Sequence, residues 1–388
     1  MGSIPITRST PSSEGEAPSG ATFASRVVAW QQDHGRHDLP WQGTRDPYRI
    51  WVSEIMLQQT QVAAVIPYYQ RFLARFPHVT ALAEASLDEV MSHWSGLGYY
   101  ARARHLHQAA RHVVEQLGGR FPGTAAGLAM LPGVGRSTAA AVAVFAHGER
   151  AAILDGNVRR VLARAFAVPG WPGEPRVARQ LWTLAERLLP PAGQIRSYTQ
   201  GLMDLGSLVC VRGKPRCDCC PVADDCVARR HGLERNLPEP RPRSKRPVRE
   251  AGWLVLVCHE HAAVLLERRP GTGVWGGLWS LPEFTGAHWT PACARLGLLP
   301  GSASPLPVVE HGFTHFTLRA RPWLLSVTGA NAVVTEAGDL RWWPLAEAVT
   351  AGTPVPVRTL LRWLFAQSAA PASGMGAPTT PDDSSQRR

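Results

Sequence analysis

From about Ala24 to Arg230 the apolar positions recur every three to four residues, and no strictly alternating stretch interrupts them. That pattern predicts an almost wholly helical first part. After Ala251 the period changes. Residues 253–257 and 263–267 are short, apolar and rich in β-formers, and the polar stretch 259–261 separates them, which predicts a hairpin. Residues 313–327 predict a further strand region. Val357, Leu360, Leu361 and Leu364 return to helical spacing behind Pro354 and Pro356. Between the two parts, residues 232–249 shift to Pro, Arg, Lys and Glu, and four prolines in 238–247 predict a stiff, extended linker. The expected order is a helical domain over 23–231, a linker over 232–249 and a mixed α/β domain over 250–366. Residues 1–22 and 367–388 read as disordered tails. No internal repeat is present.

Composition sharpens this picture. Of the 388 residues 45% are hydrophobic, enough for a sizeable core. The formal net charge of +11 favours a polyanionic partner, of which nucleic acid is the commonest. No run of about 18 apolar residues offers a membrane span. The first twenty residues lack the apolar stretch of a secretory signal. A cytoplasmic protein is expected, with its thiols reduced. Seven cysteines then need a reason other than disulfides, and Cys210, Cys217, Cys220 and Cys226 fall within seventeen residues. Their clustering points to a metal; four thiolates at short spacings can hold zinc or a 4Fe-4S cluster. Only Cys217 and Cys220 form a Cys-x-x-Cys pair, whereas zinc ribbons show two. Cys219 is an extra thiol at a spacing that does not fit. Cys258 and Cys293 read as ordinary buried residues.

Three further stretches carry candidate chemistry. Residues 124–131 predict a short helix, Pro132-Gly133-Val134-Gly135 breaks it, and the alanine-rich run from Arg136 to Ala146 predicts a second. The glycines allow a sharp turn and close approach to a ligand, and the free N–H groups at the start of the second helix suit an anion such as a DNA phosphate. In 46–65, Asp46 and Pro47 mark a helix start. Trp51, Ile55 and Val62 form a core-facing stripe, while Glu54, Gln58 and Gln61 lie on another face. Asp155 precedes Val158, Leu162 and Phe166 and reads as a helix cap, which would favour its ionised form.

Leu131-Pro132-Gly133-Val134-Gly135-Arg136-Ser137-Thr138-Ala139 resembles the helix-hairpin-helix signature of the endonuclease III superfamily of DNA glycosylases. Ile153-Leu154-Asp155-Gly156-Asn157-Val158 and the four cysteines follow in the family's order. Ser137 stands where bifunctional members carry a Schiff-base lysine, so the chain is most similar to the monofunctional MutY adenine glycosylases. Ser53-Glu54-Ile55-Met56-Leu57-Gln58-Gln59-Thr60-Gln61-Val62 resembles their catalytic helix. The resemblance implies a 4Fe-4S cluster on Cys210, Cys217, Cys220 and Cys226. It implies Glu54 as the general acid that protonates the leaving base, with a pKa raised by burial. It implies Asp155, with Asn157 nearby, as the carboxylate that stabilises an oxocarbenium-like sugar. Gly133, Val134, Gly135 and Ser137 would hold DNA. In Gly96-Leu97-Gly98-Tyr99-Tyr100, the resemblance makes Tyr99 the side chain inserted beside the opposing base, with Gln59, Thr60 and Leu97 around it. Trp41, Leu57 and Gln200 would border the flipped adenine.

Trp275-Gly276-Gly277-Leu278-Trp279-Ser280-Leu281-Pro282 resembles the Nudix-like domain of the same family. A hydrolysing Nudix domain needs clustered carboxylates for magnesium, and Glu283 is the only one in 283–299. The resemblance therefore implies recognition of 8-oxoguanine, through Phe313, Thr314 and His315, with Thr where the family has Ser. The expected protein is a two-domain monomer, acting in the cytoplasm on nucleoid DNA, that excises adenine opposite 8-oxoguanine or guanine. Its rivals are a glycosylase-lyase for oxidised pyrimidines, which Ser137 disfavours; a non-catalytic iron–sulfur DNA-binding module, which Glu54 and Asp155 disfavour; and a Nudix nucleotide hydrolase.

Overall fold

The computed structural model describes residues 20–242, 246–271, 273–286, 288–298, 303–313, 315–327 and 339–369. The first helix is Gly20–His34 and the last Val355–Ala369; the rest of both expected tails lies outside the described residues. The chain divides into two compact units, residues 1–58 with 120–243 and residues 59–119 with 244–388.

The first unit is helical, as the spacing predicted. Its described α-helices are Gly20–His34, Pro47–Leu57, Ala125–Leu128, Arg136–His147, Gly156–Ala165, Pro175–Arg187, Ile195–Asp204 and Val227–Arg230, with Ile195–Asp204 running on into a widened turn over Leu205–Val209. Phe23, Val27, Val144, Leu162, Leu181, Tyr198 and Leu205 form its core. Close helix approach depends on small residues. A Cβ on Gly201 would sit 2.9 Å from Val27 Cγ1, so the helix Ile195–Asp204 rests directly on the first helix. Ala139, Ala140, Ala141 and Ala143 are buried for the same reason in Arg136–His147.

One expectation fails here. The stripe through Trp51, Ile55 and Val62 does not lie on one helix. The helix Pro47–Leu57 stops, Gln59 takes φ +57°, and Gln61 precedes a new helix, Val62–Arg75. Trp51 and Ile55 are buried, but Val62 is only half-buried, and Gln61 shares no face with Glu54. A left-handed turn at a glutamine carries no glycine or proline signal, so the helical period ran through it.

The second unit holds Val62–Arg75, Val79–Glu84, Leu87–Trp94 and Ala101–Leu117, together with a mixed sheet. The described strands are β1 (Val248–Cys258), β2 (Ala263–Arg268), β3 (Trp279–Ser280), β4 (Glu283–Phe284), β5 (Ala303–Pro305), β6 (Val309–Gly312), β7 (Thr317–Ser326) and β8 (Leu340–Pro344). β1 and β7 pair in parallel from Val248↔Thr317 to Val257↔Ser326. β1 turns into β2 at Cys258↔Ala263, the predicted hairpin. β2 carries β3 and β8, and β7 carries β5 and β6. Gly252 to Cys258 are buried without a break, as a central strand demands. Val357, Leu360, Leu361 and Leu364 are buried on the final helix. The only carboxylate predicted after the glycine-rich segment, Glu283, pairs with Arg269 at 2.6 Å, so it is a structural ion pair. No described helix is long and apolar enough to cross a membrane.

Candidate active site

The helix Pro47–Leu57 starts where the sequence pattern placed it. Asp46 accepts a hydrogen bond from the Tyr48 N–H at 2.9 Å, and Pro47 needs no partner in the first turn. Tyr48, Trp51, Val52, Ile55 and Met56 bury one side. Glu54 lies off that side and keeps a little surface, but its carboxyl end is desolvated. Burial, with the charge of Asp155 second, pushes Glu54 up to about 8. That is a carboxyl holding its proton at neutral pH.

Asp155 caps the helix Gly156–Ala165, accepting from Asn157 N–H at 2.9 Å and Val158 N–H at 2.7 Å. These bonds, with Arg160 and Arg159, favour the anion, yet burial outweighs them and the carboxyl lies above the usual aspartate range. The cap alone was expected to keep Asp155 low; desolvation is the larger effect. Asn157 Oδ1 accepts from Arg160 Nη2 at 2.8 Å, so the residues after the carboxylate are held by a buried arginine.

The predicted hairpin is present. Thr124 caps Ala125–Leu128, Gly133 takes φ +73°, Val134 is buried and Gly135 precedes Arg136–His147. Gly135 has an ordinary φ of −82°, and a Cβ there would meet nothing within 4 Å. The fold itself thus asks for Gly133 but not for Gly135. Ser137 Oγ accepts the Leu154 N–H at 2.9 Å, which ties the second hairpin helix to the segment ending in Asp155. Thr138 Oγ1 accepts from Gln58 Nε2 at 3.2 Å, which ties it to the end of the Glu54 helix.

Cys210, Cys217, Cys220 and Cys226 line one pocket with Val161, Val209 and Val222. Cys219 is exposed outside it and directs its thiol to Arg216 O. Burial pushes the Cys220 thiol up to about 12, and burial likewise raises Cys217 and Cys226. Cys258 and Cys293 are buried, as expected.

The remaining residues take varied positions. Trp41 is buried, Leu57 is half-buried at the end of its helix, and Gln200 Nε2 donates to Asp204 at 3.0 Å. In the second unit Leu97 is buried, Gln59 is exposed and Tyr99 is 49% exposed at φ +50°. Thr60 Oγ1 accepts from Arg102 Nη2 at 3.2 Å. Phe313 stacks on Phe316 (centroids 4.6 Å apart) and tilts against Trp275 at 5.3 Å, between β6 and β7. His315 is exposed, and Thr314 lies outside the described residues.

Residues 52–187 match the HhH-GPD superfamily of base excision DNA repair proteins, and residues 252–363 match the NUDIX domain. The human adenine DNA glycosylase is 35% identical over 92% of this chain and 76% of its own length. That of Buchnera aphidicola from Schizaphis graminum is 32% identical over 87% of this chain and 97% of its own. The chain belongs to the adenine DNA glycosylase family. It is a DNA glycosylase of base excision repair, a hydrolase of N-glycosidic bonds. A thermostable thymine-DNA glycosylase is also similar in structure, with a TM-score of 0.49, 31% identity, and coverage of 55% of this chain and 97% of that one.

Several residues that organise this glycosylase carry no signal in the sequence. Arg160 bonds to Asn157 Oδ1, Gly206 O and Cys210 O. Arg164 Nη1 donates to Cys210 Sγ at 3.4 Å and to Val211 O at 2.7 Å. Asp204, with no exposed surface, holds both Arg36 and Gln200. Charged residues in amphipathic helices read as solvated; only the distant partners show otherwise.

Proposed function

We propose that this glycosylase removes adenine from duplex DNA that holds it opposite 8-oxoguanine or guanine. The observation that carries the reading is the pair Glu54 and Asp155: a carboxyl pushed up to about 8 beside one that burial also raises, but whose rise two N–H groups and two arginines oppose. Breaking the bond between adenine and deoxyribose leaves electrons on the base and positive charge on the sugar. Glu54 delivers its proton to the departing adenine and, once ionised, accepts a proton from the attacking water. Asp155 faces the sugar as an anion, and Asn157 lies on the same helix start. Duplex adenine is inaccessible, so it is extruded first; Trp41, Leu57 and Gln200 border it.

Gly133, Val134, Gly135 and Ser137 present the helix start to a phosphate, where an unobstructed Gly135 allows the backbone to come close. Gln59, Thr60, Leu97 and Tyr99 meet the base opposite the adenine. Phe313, Thr314 and His315 recognise its 8-oxo form, with Phe313 held in the aromatic group. The protein works as a monomer, in the cytoplasm on nucleoid DNA.

Cys210, Cys217, Cys220 and Cys226 hold a 4Fe-4S cluster. Burial raises the Cys217, Cys220 and Cys226 thiols, so a cationic group is needed for them to become thiolates, and the separation of the four pocket cysteines from Cys219 fits four ligands. When bound, the cluster ties the loop 210–226 together.

The test is single-turnover excision on duplexes that differ only in the base opposite adenine, with wild type and Glu54→Gln. Wild type releases adenine opposite 8-oxoguanine and guanine, and E54Q is slower by about 10² or more. Retained excision by E54Q removes the assigned acid. Release of an oxidised pyrimidine with strand cleavage returns the lyase reading.

A further inference from the structure

Two turns of the second unit each hold a non-glycine residue in the left-handed region, Gln59 at φ +57° and Tyr99 at φ +50°. Such backbone is unfavourable for a residue that carries a Cβ and persists only where its surroundings hold it. One side chain joins the two turns. Arg102, 9% exposed near the start of Ala101–Leu117, directs Nη2 to Thr60 Oγ1 (3.2 Å), Leu97 O (3.3 Å) and Gly98 O (3.1 Å). Its guanidinium carbon lies 5.4 Å from the ring centres of both Tyr99 and Trp94. The Trp94 indole N–H donates to Gly98 O at 3.2 Å, and the Arg102 N–H donates to Tyr99 O at 2.9 Å. Tyr99 itself stays half in solvent. Its ring is therefore presented outward while a buried cation fixes its base.

We propose that Arg102 is the positioning residue that locks the Gln59–Thr60 turn to the Leu97–Tyr99 turn, making one rigid surface for the base opposite the extruded adenine. This rests on the reading of Gln59, Thr60, Leu97 and Tyr99 as the residues that meet that base. The geometry favours arginine over lysine. One nitrogen, Nη2, reaches the hydroxyl and both carbonyls, while the planar guanidinium carbon lies near two aromatic rings; an ammonium placed on those acceptors has no flat face to lay against the rings. Burial holds Arg102 down to about 10, which leaves it charged at neutral pH. Without the bridge each turn is free to relax from its strained backbone, and Tyr99 loses its orientation before DNA arrives.

The test uses the full-length protein and two duplexes, with adenine opposite 8-oxoguanine and adenine opposite an abasic spacer that leaves nothing for Tyr99 to meet. Arg102→Lys is expected to slow single-turnover excision about tenfold or more on the first and by less than about twofold on the second. Thr60→Val, which removes the bridge and keeps the cation, shows a smaller loss with the same selectivity and remains informative if R102K folds poorly. R102K with T60V is no slower than R102K alone, because both break one linkage. Equal loss on the two duplexes, or additive losses, overturns the positioning role. Tyr99→Ala separates the two readings. If Y99A discriminates between the duplexes and R102K does not, only the role of Arg102 fails. If Y99A does not discriminate, the assignment of this surface fails and the role of Arg102 falls with it.

Discussion

The charge of Asp155 reaches the carboxyl of Glu54 and adds to the burial that pushes it up to about 8. Asp155 is raised as well, but its two N–H partners, Arg160 and Arg159 oppose that rise. One environment thus raises both carboxyls but opposes the rise only at Asp155, which sets the two apart. The excision rate is expected to be level through neutral pH and to fall as pH rises through about 8, where Glu54 loses its proton. Its acid limb lies above the usual aspartate range, as Asp155 is raised. Single-turnover rates against pH check this; a profile flat to about pH 10 disconnects Glu54 from the rate.

The same raised carboxyl affects stability. Below the ordinary value of 4.5 Glu54 is protonated whether folded or unfolded. As pH rises the unfolded chain ionises while the folded chain keeps its proton until about 8, so folding loses stability across that window. Glu54→Gln removes the penalty. The variant is expected to melt higher than wild type at about pH 8, by a difference on the order of 1 kcal/mol or more, and to match it at about pH 4.5. Paired melting curves at the two pH values decide it. No stabilisation at the higher pH means the carboxyl is not buried.

What the sequence made legible was local. Asp46 and Asp155 announced themselves as caps because capping is written in neighbouring residues, and four close cysteines needed no fold to stand out. Glu54 alone resembled a solvated polar position; its partner lies about a hundred residues away, and only the fold brings the charge of Asp155 to it. The turn at Gln59 was missed because its left-handed backbone is held by neighbours rather than by glycine. Arg160 and Arg164 were missed because their acceptors are backbone carbonyls of remote loops, and helical periodicity places such residues outside.

The hairpin glycines should separate folding from binding. Gly133 sits at φ +73°, so Gly133→Ala forces an alanine into the left-handed region and costs about 1 kcal/mol of stability. Gly135 has φ −82° and open space where an alanine methyl would stand, so Gly135→Ala leaves stability within about 0.5 kcal/mol. If the hairpin holds a phosphate at this open backbone, the added methyl stands in its way, and affinity for duplex DNA falls severalfold in G135A. Melting temperature and DNA titration on both variants check the split. Unchanged DNA affinity in G135A removes the phosphate from this hairpin.

The adjacent thiols Cys219 and Cys220 offer the sharpest check on the cysteine loop. Cys220 faces the pocket shared with Cys210, Cys217 and Cys226, and its thiol is pushed up to about 12 by burial and by the other three charges. Cys219 points out of the pocket, toward Arg216 O. If the four pocket thiols hold iron and sulfide, Cys220→Ser lowers bound iron and weakens the visible absorption of the purified protein, while Cys219→Ser leaves both at the wild-type level. The pocket is built from Val161, Val209 and Val222 as well as the cysteines, so C220S also exposes apolar surface and should bring earlier melting. Iron lost from C219S but kept in C220S would exchange the two residues' roles, and zinc in place of iron in the wild type would replace the cluster altogether.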